Sequence, residues 1–325
     1  ENTELTTRFN SNLDAFAHVA TYDFIRSGIG LYSITSDEKY LDQARRTANF
    51  VNDNFLTEEN LIFHYDPYSG DFISGGHTNQ ELVYDFSRLA LIDTKQKPNA
   101  MSKDSIYNTI VKKLADEIIK NEINHDTNLF YTNVDDFGNP NNTDMYISYD
   151  AASGIDSLLI AYEVTANQVY LDQVKDTLLA YWDLRNKETN LIPSIINAET
   201  KEIKQDFMQQ YGAGIFLKLL LHYYYLTDDP EILSIMKTYS DSTIKYFWDG
   251  KTWNYRVNHD GSVLSESVEA NFGKLDDALF LLHDLDPIMF DNAYKFAKLD
   301  YDNTVNDNLI LENNLIIHSV KDDGS

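Results

Sequence analysis

Apolar residues recur at helical spacing along most of the chain, and the helical stretches alternate between two kinds. One kind is amphipathic, with an apolar stripe opposite charges, as in Tyr40-Leu41-Asp42-Gln43-Ala44 and Tyr170-Leu171-Asp172-Gln173-Val174. The other is apolar around most of its circumference and carries small residues near its start: Gly28 and Gly30, Ala151, Ala152 and Gly154, Gly212 and Gly214, Gly273. A helix buried on several faces needs small residues where a neighbouring backbone comes close. These apolar stretches end in a recurring phrase, Leu31-Tyr32-Ser33-Ile34-Thr35, Ala90-Leu91-Ile92-Asp93-Thr94, Ala161-Tyr162-Glu163-Val164-Thr165 and Tyr224-Tyr225-Leu226-Thr227, with a degraded copy near Leu281 to Asp286. The pattern predicts inner helices packed side by side, each followed by an amphipathic outer helix.

A second phrase separates the pairs: Asn60-Leu61-Ile62-Phe63-His64, Asn128-Leu129-Phe130-Tyr131, Asn190-Leu191-Ile192-Pro193, Thr252-Trp253-Asn254-Tyr255 and Asn314-Leu315-Ile316-Ile317-His318. Its central apolar positions, 61, 129, 191, 253 and 315, step by 68, 62, 62 and 62 residues. Most copies run on to a glycine, at Gly70, Gly138, Gly261 and Gly324, which predicts two short strands around a tight turn. A step near 62 exceeds the roughly 34 to 47 residues of common helical-pair solenoids. The expectation is therefore an all-α (α/α) toroid, or barrel, of about five to six helical hairpins with short β-hairpins on one face; an open solenoid is the competing architecture. No linker or composition shift interrupts the copies, so residues 1–325 are expected to form a single domain.

Charge narrows the partners. The 325 residues carry 26 basic and 52 acidic side chains, a net charge of −26. Such a chain repels phosphate backbones and anionic membranes at long range, so neither nucleic acid nor a membrane surface is an expected partner. The most apolar stretch, 215–226, is interrupted by Lys218 and His222 and is too short to span a bilayer. With no cysteine, thiolate nucleophiles and sulfur-ligated metal sites are excluded. There is no phosphate loop, HExxH or GxSxG, and Asp135-Asp136 and Asp228-Asp229 are only fragments of a magnesium motif, so no cofactor and no metal are expected. The start at Glu1, without Met or a leader, suits a mature secreted protein or a trimmed chain, and an extracellular or cell-surface location is the expectation.

In a ring of helical pairs the hairpins and the inner-helix starts share one face, so that face should hold the cleft. Alignment on Thr35, Thr94, Thr165 and Thr227 brings polar residues to the same height in successive inner helices. Glu81, in Gly75-Gly76-His77-Thr78-Asn79-Gln80-Glu81, has His77 and Gln80 within one helical turn; the structural alternative is a capping box with Thr78 as cap. Asp150 follows Tyr149 at the matching height of the third repeat, where it can equally serve as a helix N-cap. Asp156, deeper in the same helix, is expected to pair with Arg26 or Arg88. Gln209, Gln210 and Tyr211 stand in the fourth repeat, and Glu266, Glu269 and Asn271 in the fifth; Trp253 and Tyr255, with Arg256 beside them, lie on a hairpin. Carboxylates serve acid/base chemistry, amides read hydroxyls, and ring faces meet the apolar face of a sugar.

With these inner-outer pairs, such as Tyr149 to Thr165 followed by Val169 to Trp182 and then Asn190-Leu191-Ile192-Pro193, the chain resembles the (α/α) toroid carbohydrate enzymes, the six-hairpin glycosidase superfamily, over nearly its whole length. That family includes unsaturated glucuronyl hydrolases, mannosidases and glucoamylases, with related toroids among polysaccharide lyases and sugar epimerases. The resemblance implies a glycan substrate and acids at the inner-helix mouth. The function expected is glycoside hydrolysis by Glu81 and Asp150, with Glu269 as substitute acid and His77, Gln80, Tyr149, Gln210, Tyr211, Trp253, Tyr255 and Arg256 contacting the sugar. Two alternatives stand beside it: a uronate lyase or sugar epimerase, with Tyr149, Tyr211 or His77 as base and Arg26, Arg88 or Arg256 near the substrate carboxylate, and a non-catalytic glycan-binding or repeat scaffold.

Overall fold

The computed structural model describes residues 16–54, 63–65, 72–74, 76–96, 106–134, 139–147, 150–264, 267–269, 274–306 and 319–321. Within them the helices fall into five consecutive pairs: α1 Phe16–Thr35 with α2 Glu38–Asn54, α3 Gly76–Gln96 with α4 Ile106–Asn121, α5 Asp150–Thr165 with α6 Gln168–Asp183, α7 Gln210–Thr227 with α8 Pro230–Phe247, and α9 Lys274–Leu285 with α10 Asp291–Asn306. The first member of each pair is the apolar helix of the sequence pattern, the second the amphipathic one. No helix among the described residues is long and apolar enough to cross a membrane.

The recurring threonine proves to be the corner between the two helices of a pair. The hydroxyls of Thr35, Thr165 and Thr227 donate to the carbonyls four residues back, at Leu31, Ala161 and Tyr223. The next residue is left-handed in each case, with φ of 56° at Ser36, 54° at Ala166 and 53° at Asp228. The residue after that, Asp37, Asn167 or Asp229, donates its backbone N–H to the threonine hydroxyl, and its own side chain accepts from the N–H two residues on. One hydroxyl and one Asx side chain thus close one helix and open the next.

The second phrase also has a local cause. The side-chain oxygens of Asn124, Asn186 and Asp249 each accept from the backbone N–H groups two and three residues on, which forms an Asx turn after the outer helix. The turn delivers Asn128 and Asn190 in the left-handed region, φ 61° and 57°, and then the apolar residue. Leu129, Leu191 and Trp253 are all buried, so the 62-residue step marks a repeated anchor under the connecting loop. Positions 61 and 315 lie outside the described residues. The anchor is a strand only in part. Leu129–Phe130 (β4) pairs with Ile123–Asn124 (β3), but Asn190 to Pro193 is irregular, and Trp253 makes only an isolated bridge to Trp248.

All remaining strands are short and antiparallel. They form the ribbons β1 Phe63–Tyr65 with β2 Phe72–Ser74, β5 Asn133–Val134 with β6 Pro140–Asn142, β10 Phe207–Gln209 with β11 Arg256–Asn258, and β12 Ser267–Glu269 with β13 Ser319–Lys321. A three-stranded sheet runs β7 Asp144–Tyr146, β8 Ile195–Asn197, β9 Ile203–Gln205.

The chain divides into two compact units, Glu1–Thr143 with Ser153–Val174, and Asp144–Ala152 with Lys175–Ser325. The core of the first joins Ile25, Ile29, Leu82, Phe86 and Leu89 of inner helices to Leu41, Ala44, Val111 and Leu114 of outer ones. In the second, the Tyr239 ring stands edge-on to Phe216 at 5.2 Å and to Trp182 at 6.1 Å. Small residues sit where helices touch. A methyl on Gly28 would lie 2.8 Å from the Tyr40 carbonyl, one on Gly154 would run into the Phe130 ring, and one on Gly214 into the backbone of Lys274 and Leu275. Gly30 has no atom within 4 Å of that position.

This contrast generates a paired test. Gly214→Ala should destabilise by about 1–3 kcal/mol, because backbone cannot yield as a side chain can, whereas Gly30→Ala should be neutral or gain up to about 1 kcal/mol from helix propensity. Denaturant midpoints of the two variants check this, and equal effects would contradict the packing described.

Candidate functional site

In the first unit Glu81 is the centre of a polar cluster on inner helices. Helix α3 begins at Gly76, two residues before Thr78, so Glu81 does not cap it. Its carboxylate reaches across to neighbouring helices: Oε2 pairs with the Arg26 guanidinium of α1, and Oε1 accepts from the Ser153 hydroxyl of α5 at 3.0 Å. Arg26 also donates through Nε to Asp85 Oδ1 at 3.3 Å. Arg26, with Arg88 an expected partner of Asp156, pairs with Glu81 and Asp85. The Arg26 side chain is 36% exposed and that of Glu81 17%, while Asp85 has no exposed surface.

Asp85 lies one turn below Glu81, among Leu82, Phe86 and Leu89. Its Oδ2 is buried with no hydrogen-bond partner. Burial, only partly offset by Arg26 and with Glu81 adding to it, pushes its carboxyl up to about 7. The Tyr84 phenol is raised by burial and then by Asp156, against the pull of Arg88 and Arg26. The guanidinium carbons of Arg26 and Arg88 lie 5.3 and 5.9 Å from the Tyr84 ring centre.

The start of α3 is fixed from behind. Glu122, fully buried after α4, accepts from Asn79 Nδ2 at 2.8 Å and from Gln80 Nε2 at 3.0 Å. Gln80, expected to touch sugar, is a buried strut between α3 and the β3 hairpin. His77 is the second residue of α3 and Asp150 the first of α5, but their side chains, like that of Glu269 in β12, lie outside the described residues, as do Tyr149 and Glu266 altogether.

The second unit gathers the other candidates around the β10–β11 ribbon. Gln210 opens α7, its side chain buried and its N–H bonded to the Tyr255 carbonyl at 3.0 Å, and Tyr211 follows half-buried. Tyr255 is buried, and Arg256 is half-buried opposite Gln209 in the ribbon register. Trp253, expected on the groove, is buried, with its indole N–H donating to Asp276 Oδ1 at 2.8 Å. The carboxyls of Asp276 and Asp300 hydrogen-bond to each other and both are raised chiefly by burial, with Asp300 also held by the Thr252 hydroxyl at 2.5 Å. Among the described residues no group of three or more His, Asp or Glu is arranged to hold a metal ion.

No family model matches the chain, and no curated protein is detectably similar to it in sequence. Solved structures are similar in fold. A D-mannose isomerase superposes with a TM-score of 0.73 at 15% identity, covering 95% of this chain and 80% of its own. The cellobiose 2-epimerase of Bacillus thermoamylovorans gives 0.70 at 13%, covering 95% and 81%. The chain has the (α/α) toroid fold. A further toroid, an inactive α-1,6-mannanase variant of Salegentibacter sp. bound to α-1,6-mannotriose, gives 0.57 at 16%, covering 93% and 80%. The solved toroid structures similar in fold to this chain thus span a sugar isomerase, epimerases and glycoside hydrolases. Asp85, Ser153 and Glu122 are the members of the first cluster that the residue pattern did not single out. Asp85 leaves one trace, an acid four residues after Glu81 on an otherwise apolar helix face.

The raised Asp85 carboxyl has a pH signature. The folded chain holds this proton up to about pH 7 whereas an unfolded aspartate loses it near about 4, so the group's contribution to stability is complete below about pH 4 and lost as pH rises to about 7. Relative to the parent, Asp85→Asn should therefore gain stability steadily between about pH 4 and pH 7. A difference that stays constant across that range in denaturant titrations would contradict the assignment.

Proposed function

We propose that the chain is a carbohydrate-active enzyme that moves a proton on a sugar, an epimerase or isomerase, with Glu81 as the base and Arg26 as the cation that meets charge developing on the carbonyl oxygen. The observation that carries this reading is the pairing of a partly open carboxylate with a partly open guanidinium on adjacent inner helices, one oxygen fixed by Ser153. Abstraction of a proton next to a sugar carbonyl needs a base of this kind and a donor preset where negative charge appears. Buried Asp85 holds Arg26 from behind and has no surface through which to touch a substrate. Similarity to isomerase and epimerase structures, with TM-scores from 0.67 to 0.73, accompanies this reading at the level of fold.

Glycoside hydrolysis is the second reading, favoured by Asp156, a second carboxylate one turn beyond Ser153 on α5, the helix whose Ser153 hydroxyl donates to Glu81. It requires one carboxyl to protonate the leaving oxygen and the other to activate water or attack. Asp150 stays a candidate for the same role from the first turn of α5.

Incubation of the full chain with mannose or cellobiose in deuterated water, followed by proton NMR, distinguishes the two. The proposal expects deuterium at C2 together with the C2 epimer or the ketose, and a fall of about a hundredfold or more in Glu81→Gln. Release of new reducing ends from a mannan or another glycan without C2 exchange, lost in Asp156→Asn, would replace it with hydrolysis. Unchanged exchange in Glu81→Gln would remove Glu81 as the base.

A further inference from the structure

Two acids from the last helical pair meet the loop that leads from α8 into β11. Asp276 stands in the first turn of α9 and is half-buried, while Asp300 of α10 is buried. The loop supplies donors only. The Thr252 hydroxyl gives to Asp300 Oδ1 at 2.5 Å, the Trp253 backbone N–H also bonds Asp300, and the Trp253 indole N–H gives to Asp276 Oδ1 at 2.8 Å. The two carboxyls bond to each other as well. A carboxylate has no hydrogen to give, so that bond exists only while one of the two is protonated. The bonds from Thr252 and Trp253 favour the charged form of Asp300, so the proton belongs on Asp276, which donates to Asp300.

Among the described residues neither acid has a basic partner that could replace this proton. The further charges that act on the pair are acids, Asp277 on Asp276 and Asp249 of the loop on Asp300. The lysines of the packed elements are placed otherwise: Lys218 of α7 pairs with Asp277, Lys298 of α10 with Asp302, Lys295 of α10 lies over the Phe296 ring, Lys245 of α8 donates to the Tyr246 hydroxyl, and Lys274 opens α9 exposed. Lys251 joins the loop through its backbone, its N–H donating to Asp249 at 2.7 Å and its carbonyl accepting from Asn303 at 2.5 Å. Loss of the Asp276 proton therefore sets two carboxylates side by side with no cation between them. Asp300 keeps fixed donors, so the less buried Asp276 turns away and the Trp253 indole loses its acceptor. Trp248 stays edge-on to Phe296 at 5.3 Å, a contact no proton controls, which confines the change to the loop beyond it.

We propose that Asp276 and Asp300 form a proton-operated latch on the loop 249–254: with a proton on Asp276 the loop is held to the last helical pair, and departure of that proton to water frees its Trp253 side. Burial of both acids, and for Asp276 also the charge of Asp300, hold the release above the ordinary carboxylate range. Lower pH closes the latch and higher pH opens it. The loop runs into Tyr255, whose carbonyl accepts the first N–H of α7 at 3.0 Å, so the latch stands beside the ribbon that places the start of that helix. It is independent of the sugar chemistry proposed above.

The chain has 3 tryptophans, at positions 182, 248 and 253, so indole fluorescence of the intact protein reads the latch. Titration from about pH 5 to about pH 9.5 should move the emission to longer wavelength in one step, centred at least about two units above a free aspartate, with helical circular dichroism unchanged. Asp276→Asn keeps an acceptor for Trp253 and a donor for Asp300 but has no proton to lose, and its emission should stay at the acid position throughout. Asp300→Asn removes the neighbouring charge and should lower the midpoint by about one unit or more. Trp182→Phe should leave the step intact. A step that persists in Asp276→Asn, an unmoved midpoint in Asp300→Asn, loss of the step in Trp182→Phe, a step that coincides with loss of helical circular dichroism, or no step at all in the parent each overturns the latch. The two asparagine variants report separately, so if one fails to fold the other still decides.

Discussion

A carboxyl group with no access to water dictates the arrangement of the first unit. Asp85 sits among buried leucine and phenylalanine side chains on α3, and a lone charge there would cost several kcal/mol. Arg26, arriving from α1, is what makes the position tolerable. Having been drawn in by Asp85, the same guanidinium reaches one turn up to Glu81, and Ser153 closes the other side of that carboxylate. Three inner helices are thus held in register by one side-chain network. Glu122 performs a parallel task from outside, tying Asn79 and Gln80 so that the first turn of α3 has a single placement. The chemistry proposed for Glu81 depends on a neighbour that no substrate can touch.

Local structure was legible in the sequence wherever a residue acts on its own backbone. Thr35, Thr165 and Thr227 recur because each hydroxyl closes its helix, and Asn128 and Asn190 recur because asparagine tolerates the left-handed conformation that the turn requires. Those effects span two to five residues, so they repeat with the period and betray it. The strand expectation went astray for a related reason: a buried apolar residue after a turn looks the same in sequence whether it pairs with a strand, as Leu129 does, or simply plugs a loop, as Leu191 does. Long-range partners left no such trace. Nothing in the spacing of Arg26 says that it will choose Glu81 and Asp85, which lie 55 and 59 residues away. Gln80 and Trp253 carry polar handles that suit a sugar groove, yet Gln80 donates to the buried Glu122 and Trp253 to the half-buried Asp276.

The second unit shows the complementary imbalance. Among the described residues Asp276 and Asp300 meet without a basic partner, and Arg256 makes no ion pair, its guanidinium carbon lying 4.7 and 5.1 Å from the ring centres of Tyr255 and Phe207. A carboxyl pair can satisfy itself with one shared proton, so the first imbalance is internal to the fold. A guanidinium has no such recourse, because it stays protonated at any physiological pH.

The dependence of Glu81 on the Asp85 pairing can be measured directly by a double-mutant cycle on folding stability at pH 8, where Asp85 is ionised. Arg26→Met alone should cost about 3 kcal/mol, since it removes the cation that keeps Asp85 ionised and forces the buried carboxyl to take up a proton, and the same change in an Asp85→Asn background should cost less by about 2 kcal/mol. A coupling of that size states that Arg26 is there for Asp85 and holds Glu81 as a consequence. Strictly additive effects would contradict it, and with it the claim that a buried acid organises the site.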